Sequence, residues 1–313
     1  MAEALELWER PEAETVYLIA GWRQWADAGS ISSALPQYLV QKTGARQIGT
    51  MSPDGFYLFQ IPGTHGLVRP VVKFEDGYPA ALEVRSNDLF FAEMGDGVAV
   101  AFFIGDEPHL DMDRYANNFL DAAEALNVER IVTLGGVYGE LPYDRERTVS
   151  CIYSLPRLKE ETADLAVTLS DYHGGASIGS YMVRRAAERE MELVGLYGFV
   201  PTYNFSGMAQ MGNTIRIEND FMAWFGIMRR VNHMLGTRFD LTDLEEKGRR
   251  LIEVMDEKVE ELEAASPELG IREYMAEIAE NFEEVLFEPL DDVWQDEISR
   301  LLDDEDEDGA PVG

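Results

Sequence analysis

The spacing that most invites chemistry in this chain is Gly175-Ala176-Ser177-Ile178-Gly179, because G-x-S-x-G is the pattern of a hydrolase nucleophile elbow. An elbow needs a strand running almost directly into the turn. Here residues 170–174 separate the serine from the strand expected at residues 165–169, and the one downstream histidine, His233, falls in a helical stripe. Ser177 therefore reads as a residue of a helix start, and no catalytic residue is assigned. The four histidines, His65, His109, His173 and His233, lie far apart without a metal-ligand spacing, so neither a metal site nor a cofactor is expected. Asp106 and Glu107, with Asp111 and Asp113, could serve a metal or acid–base step, but an acidic run at a helix start is first a solvated, dipole-favoured face. Gly135 and Gly136 after one strand, and Gly174 and Gly175 before a helix, could present N–H groups to an anion or simply form tight turns. Arg145 and Arg147, beside Pro142 and Tyr143, could hold an acidic group or neutralise nearby acids. Trp22, Trp25 and Asp27 follow an apolar run ending in Gly21, where an α/β sheet meets its ligands and partners.

The elements that position these residues are short apolar runs alternating with helical stripes, the pattern of an α/β fold. Residues 16–21 and 98–104 read as buried strands, as do 130–134 and 193–200. Tyr115, Phe119, Ala122, Ala123 and Leu126 share one helical face between two of these strands, which makes a βαβ unit. Helices are also expected at residues 30–39, 181–190 and 214–235, and short strands or hairpins at 46–75 and 80–85. After residue 240, Leu244, Leu251, Met255, Val259 and Leu262 form one stripe and Tyr274, Ile278, Phe282, Val285 and Leu286 a second, separated by Ser266 and Pro267. That pattern is an α-helical hairpin. Leu290, Val293, Trp294, Ile298 and Leu301 could continue it as a docking helix. The expected organisation is an α/β core over residues 1–239, an acidic helical extension over 240–302, and a disordered acidic tail over 303–313.

The chain has 313 residues, 59 Asp plus Glu against 26 Lys plus Arg, and a net charge of −33. A field this negative repels phosphate backbones and anionic membranes, so neither nucleic acid nor a membrane surface is expected as a partner. Residues 243–308 alone contribute −20. No apolar run reaches the length of a membrane span, the N-terminus lacks a secretory pattern, and the single Cys151 cannot form an internal disulfide. A cytoplasmic location is expected, with an intermolecular use of Cys151 left open.

An ordered series of short blocks resembles the PAC2 family, the group of proteasome assembly chaperone 2 and its archaeal and bacterial relatives. The blocks are Ile19-Ala20-Gly21-Trp22 with Asp27-Ala28-Gly29, then Asp54, Phe56, Tyr57 and Phe59 leading to Arg69-Pro70. Gly105, Glu107 and Pro108 follow, then Leu134-Gly135-Gly136, Pro142 and Arg145, Tyr172, Gly174 and Gly179, and finally Pro201 and Tyr203. Residues 23–26 lengthen the first loop, and Thr202 stands where the family often has His. The resemblance implies a three-layer α/β/α sandwich similar to the purine nucleoside phosphorylase-like fold, homo-oligomerisation, and non-enzymatic help in proteasome assembly. Some archaeal relatives dock through a C-terminal hydrophobic-Tyr-X ending. This sequence ends Ala310-Pro311-Val312-Gly313, so that mode is not expected.

The first functional expectation is thus a chaperone-like protein whose acidic α-hairpin or Trp22/Trp25 surface contacts a protein partner, proteasome α subunits where the host has them. The alternative is an enzyme or binding protein for a nucleoside-like small molecule in a cleft formed by Trp22, Glu107, Gly135 and Tyr203.

Overall fold

The two most apolar runs of the sequence lie side by side as parallel strands, with Leu18 paired to Ala101 and Ala20 to Phe103. The computed structural model describes residues 5–60, 69–204 and 214–287. Its first half contains β1 (Leu5–Leu7), β2 (Thr15–Arg23), α1 (Ala34–Thr43), β3 (Arg46–Met51), β4 (Val71–Glu75), β5 (Tyr78–Glu83), β6 (Asp88–Gly95), β7 (Val98–Asp106) and α2 (Met112–Ala125). Then follow β8 (Val128–Gly139), β9 (Val149–Tyr153), α3 (Leu158–Glu161), β10 (Thr168–Leu169), α4 (Ile178–Glu188), β11 (Glu192–Asn204) and β12 (Thr214–Arg216). The helices α5 (Phe221–Leu235), α6 (Thr242–Ala265) and α7 (Ile271–Asn281) complete the described chain.

Four parallel strands, in the order β7-β2-β8-β11, form the centre of one sheet. Antiparallel pairing adds β6, β3 and β1 beyond β7, and β9 and the short β12 on β11, while β10 pairs parallel with β9. Central parallel strands are apolar on both faces, and their period-two alternation divides the core in two. Val16, Leu18, Ala20 and Trp22 of β2 face α2 and α4, among Ala116, Phe119, Met182 and Ala186. Ile19 faces the other way, into a cluster with Leu35 and Leu39 of α1 and Ile227 of α5. The layering is α/β/α, as expected.

Several elements differ from the sequence expectation. β6 and β9 were not foreseen. The strand expected at residues 165–169 is reduced to Thr168–Leu169, because Ala163–Leu165 is a 3-10 turn. The helix expected from residue 214 starts at Phe221, where Asp220 Oδ1 accepts the Ala223 N–H at 3.1 Å and so fixes its first turn. Gly135 and Gly136 do not close a strand in a turn but lie inside β8, paired with Tyr197 and Gly198. β4 and β5 form a separate two-stranded sheet instead of joining the main one, and all their residues are exposed.

α6 packs against α5 and α7 against α6, and Leu244, Met255, Val259 and Ile271 belong to the same core cluster as Ile227 and Val231. Polar ties reinforce this seat: Tyr38 and Lys42 of α1 donate to Asp243, and Tyr143 donates to Asp256. The further docking helix and the acidic tail expected after residue 289 lie outside the described residues.

Candidate functional site

The residue that shapes the site is Gly136. Its N–H donates to the Ala26 carbonyl at 2.7 Å, and Asp27 forms a bridge to it, so the loop after β2 is laid across β8. A Cβ on Gly136 would sit 2.0 Å from the Ala28 carbonyl oxygen, so no other residue permits this crossing. The loop holds Trp25 on the surface, 59% exposed, and turns Asp27 inward. Asp27 Oδ1 accepts from the N–H groups of Ser32 and Ser33, each at 2.9 Å, where the chain turns toward α1. Burial raises the pKa of this carboxyl, and those hydrogen bonds only partly oppose it.

Beside this loop lies a cleft of about 980 Å³. Its floor includes Tyr197 and Phe199 of β11 with Ile152 of β9, and its walls include Trp25, Tyr138 and Tyr172 and the first two turns of α4. Ser177 caps α4: its Oγ accepts from the Ser180 N–H at 3.2 Å and lies 3.4 Å from the Tyr197 hydroxyl. Behind the cap, Glu107 Oε1 accepts from the Ile178 N–H at 2.8 Å, while its Oε2 is buried without a partner. Burial pushes the Glu107 carboxyl up to about 7.

Of the residues singled out from the sequence, Trp25, Asp27, Gly136, Tyr172, Gly175 and Ser177 meet at this cleft, and Gly174 lies against the Tyr172 ring at its rim. Trp22 does not. It is buried, donates from Nε1 to the Tyr115 hydroxyl at 2.9 Å, and packs between Phe103 and Phe119. Tyr203 is buried in the opposite core cluster and donates to the Leu141 carbonyl at 2.5 Å. Gly135 is covered by the Tyr197 ring, which a Cβ there would meet at 2.4 Å. The cleft expected from Trp22, Glu107, Gly135 and Tyr203 is therefore corrected: Trp22 and Tyr203 face opposite sides of the sheet, and Trp22 forms no surface with Trp25.

Pro142 is buried and Arg145 exposed in the β8–β9 connection, away from the cleft lining. Arg147 does hold an acidic group, but an internal one. Its Nε donates to Asp220 Oδ2 at 2.8 Å, with both side chains fully buried. The acids near the start of α2 are also dispersed: Asp106 pairs with Arg23 and Arg85, and Asp111 with Arg114. Among the described residues no group of three or more His, Cys, Asp or Glu could hold a metal ion. Cys151 is buried, which pushes its thiol up to about 12 and removes it from any intermolecular disulfide on the folded surface. Sequence reasoning missed Phe199 and Ser150. The alternation of Tyr197 and Phe199 on one face of β11 was a usable signal, whereas Ser150 required recognition of β9.

The model of the PAC2 family matches residues 21–259. No curated protein matches the chain. Among solved structures, a PAC2 family protein from Streptomyces avermitilis is 22% identical with a TM-score of 0.65, covering 77% of this chain and 95% of that one. A proteasome-assembly chaperone homologue of Mycobacterium tuberculosis is 20% identical with a TM-score of 0.66, covering 77% and 94%. PbaB of Pyrococcus furiosus, an archaeal proteasome activator, is 17% identical with a TM-score of 0.57, covering 81% and 97%. At these identities the likeness establishes the fold.

Proposed function

The chain belongs to the PAC2 family, and from that premise we propose that it is a non-enzymatic, proteasome-assembly-chaperone-like protein that binds a protein partner in the cytoplasm. The family match carries this reading, and two of the similar structures are a proteasome-assembly chaperone homologue and a proteasome activator. The partner class is proteasome α subunits where the host has them, with self-association of the chain alongside.

Local physics supports a protein-binding role. The β4–β5 sheet exposes Phe74 (59%), Tyr78 (75%) and Leu82 (63%), and Val71, Val72 and Val84 are exposed with them. An isolated two-stranded hairpin is marginal in water, and a contiguous apolar surface of this kind marks an interaction site. Ser177, the residue most like a nucleophile, has its hydroxyl engaged as a helix cap among other hydroxyls, and among the described residues none of its hydrogen bonds is to an imidazole.

Affinity purification of the tagged protein from its own host at low and high salt, followed by native mass spectrometry, tests the proposal. Recovery of proteasome α subunits in fixed ratio is the expected result. Recovery of the chain alone at every salt concentration would refute it.

A further inference from the structure

We propose that the cleft between the loop after β2 and the first turns of α4 binds an uncharged small molecule that joins a flat ring to several hydroxyl groups. Its volume, about 980 Å³, is at the upper end of the roughly 300–1,000 Å³ usual for small-molecule sites. Such sites combine apolar and aromatic walls with a few polar groups that fix orientation. Here Trp25, Tyr172 and Phe199 line the cleft, and Ser150, on the same face of β9 as Ile152, lines it with no side-chain hydrogen bond among the described residues, beside Ser177 and Ser180. Ring faces bind flat groups by stacking, and unpartnered hydroxyls seek donors and acceptors on the same ligand.

Charge narrows the class. The start of α4 is the place where a phosphate would ordinarily sit, but Glu107 already accepts from Ile178 and Ser177 from Ser180. The guanidinium in the lining, Arg184, is paired with Glu188 at 3.0 Å. Arg216 lies over the Tyr138 ring and outside the lining. An anion in the cleft would therefore meet Asp27, with Glu107 behind Ser177, inside a molecule of net charge −33. Phosphorylated and carboxylated ligands are disfavoured, and a neutral ring-bearing polyol fits. That chemistry is shared by unphosphorylated nucleosides and by aryl glycosides.

Titration calorimetry of the full chain with adenosine, para-nitrophenyl glucoside and AMP tests the proposal and separates the two sources. Saturable binding of adenosine or of the glucoside is expected, with AMP roughly tenfold weaker or worse than adenosine if the nucleoside is the binder. Tyr172→Ala and Phe199→Ala should each weaken the bound neutral probe by about tenfold, the order of one lost ring–ring stack. Tyr172 is 72% exposed, so its variant tests the site even if Phe199→Ala fails to fold. The proposal is overturned if neither neutral probe binds at millimolar concentration, if AMP binds as tightly as adenosine, or if Tyr172→Ala binds the neutral probe as the native chain does.

Discussion

Glu107 shows how one buried carboxylate ties the site to the stability of the fold. Its carboxyl titrates near 7 in the folded protein instead of the ordinary 4.5, because burial disfavours the charge. Below about pH 4.5 both folded and unfolded chains hold the proton. Between there and about 7 the unfolded chain has released it and the folded one has not, so stability falls as pH rises through this window and levels off above it. At 1.36 kcal/mol per unit the effect is about 3 kcal/mol. Glu107→Gln keeps an acceptor for the Ile178 N–H and removes the titration, so it should be more stable than the native chain above neutrality by about 2 kcal/mol. Urea unfolding of both proteins across this pH range measures the difference, and parallel curves would refute the assignment. Trp22 gives the complementary lesson. Its position after Gly21 suggested a strand end open to partners, yet it continues the inward row of Val16, Leu18 and Ala20. The alternation that buries it was already in the sequence, whereas the loop crossing that admits Trp25 and excludes Trp22 depends on Gly136, more than a hundred residues away.

At the scale of elements, the buried parallel strands and α2 were legible because long apolar runs and a helical stripe leave little choice of period. β9 was not, since VSCIY mixes small polar and apolar residues and is fixed by pairing with β11. The start of α5 was misplaced because the apolar pattern continues upstream of Asp220, and only the cap and its ion pair mark the boundary. Asp220 holds that boundary twice, through the Ala223 N–H and through Arg147. Asp220→Ala should lower stability by about 3–5 kcal/mol, because it leaves the Arg147 charge buried and unpaired. Denaturant unfolding reads this directly, and a loss under about 1 kcal/mol would contradict it. α6 and α7 are likewise more than an appendage, since their apolar residues complete the cluster on α5. Truncation before Thr242 should therefore give aggregated or poorly folded protein, with loss of near-UV circular dichroism. A well-folded, soluble truncated chain would show that the core closes without them.

Across the whole molecule, family membership and the α/β/α sheet were both readable from ordered short motifs, each weak alone. The candidate surface was readable only in part: Trp25 and Asp27 are where the sequence put them, but the exposed sheet of β4 and β5 stands free of the main one in a way no local pattern reveals. Residues 243–308 carry −20 of the net charge of −33, whereas the β4–β5 arm presents exposed Val71, Val72, Phe74, Tyr78 and Leu82 for an apolar protein contact. Phe74→Ser combined with Leu82→Ser should change stability by no more than about 0.5 kcal/mol, since both side chains are exposed. Sedimentation of the purified chain with proteasome α subunits from its host, native against this double variant, is the most direct test of the proposed role. The account predicts a defined complex for the native chain and its loss in the variant. Absence of any complex at tens of micromolar, with both proteins folded, would contradict it.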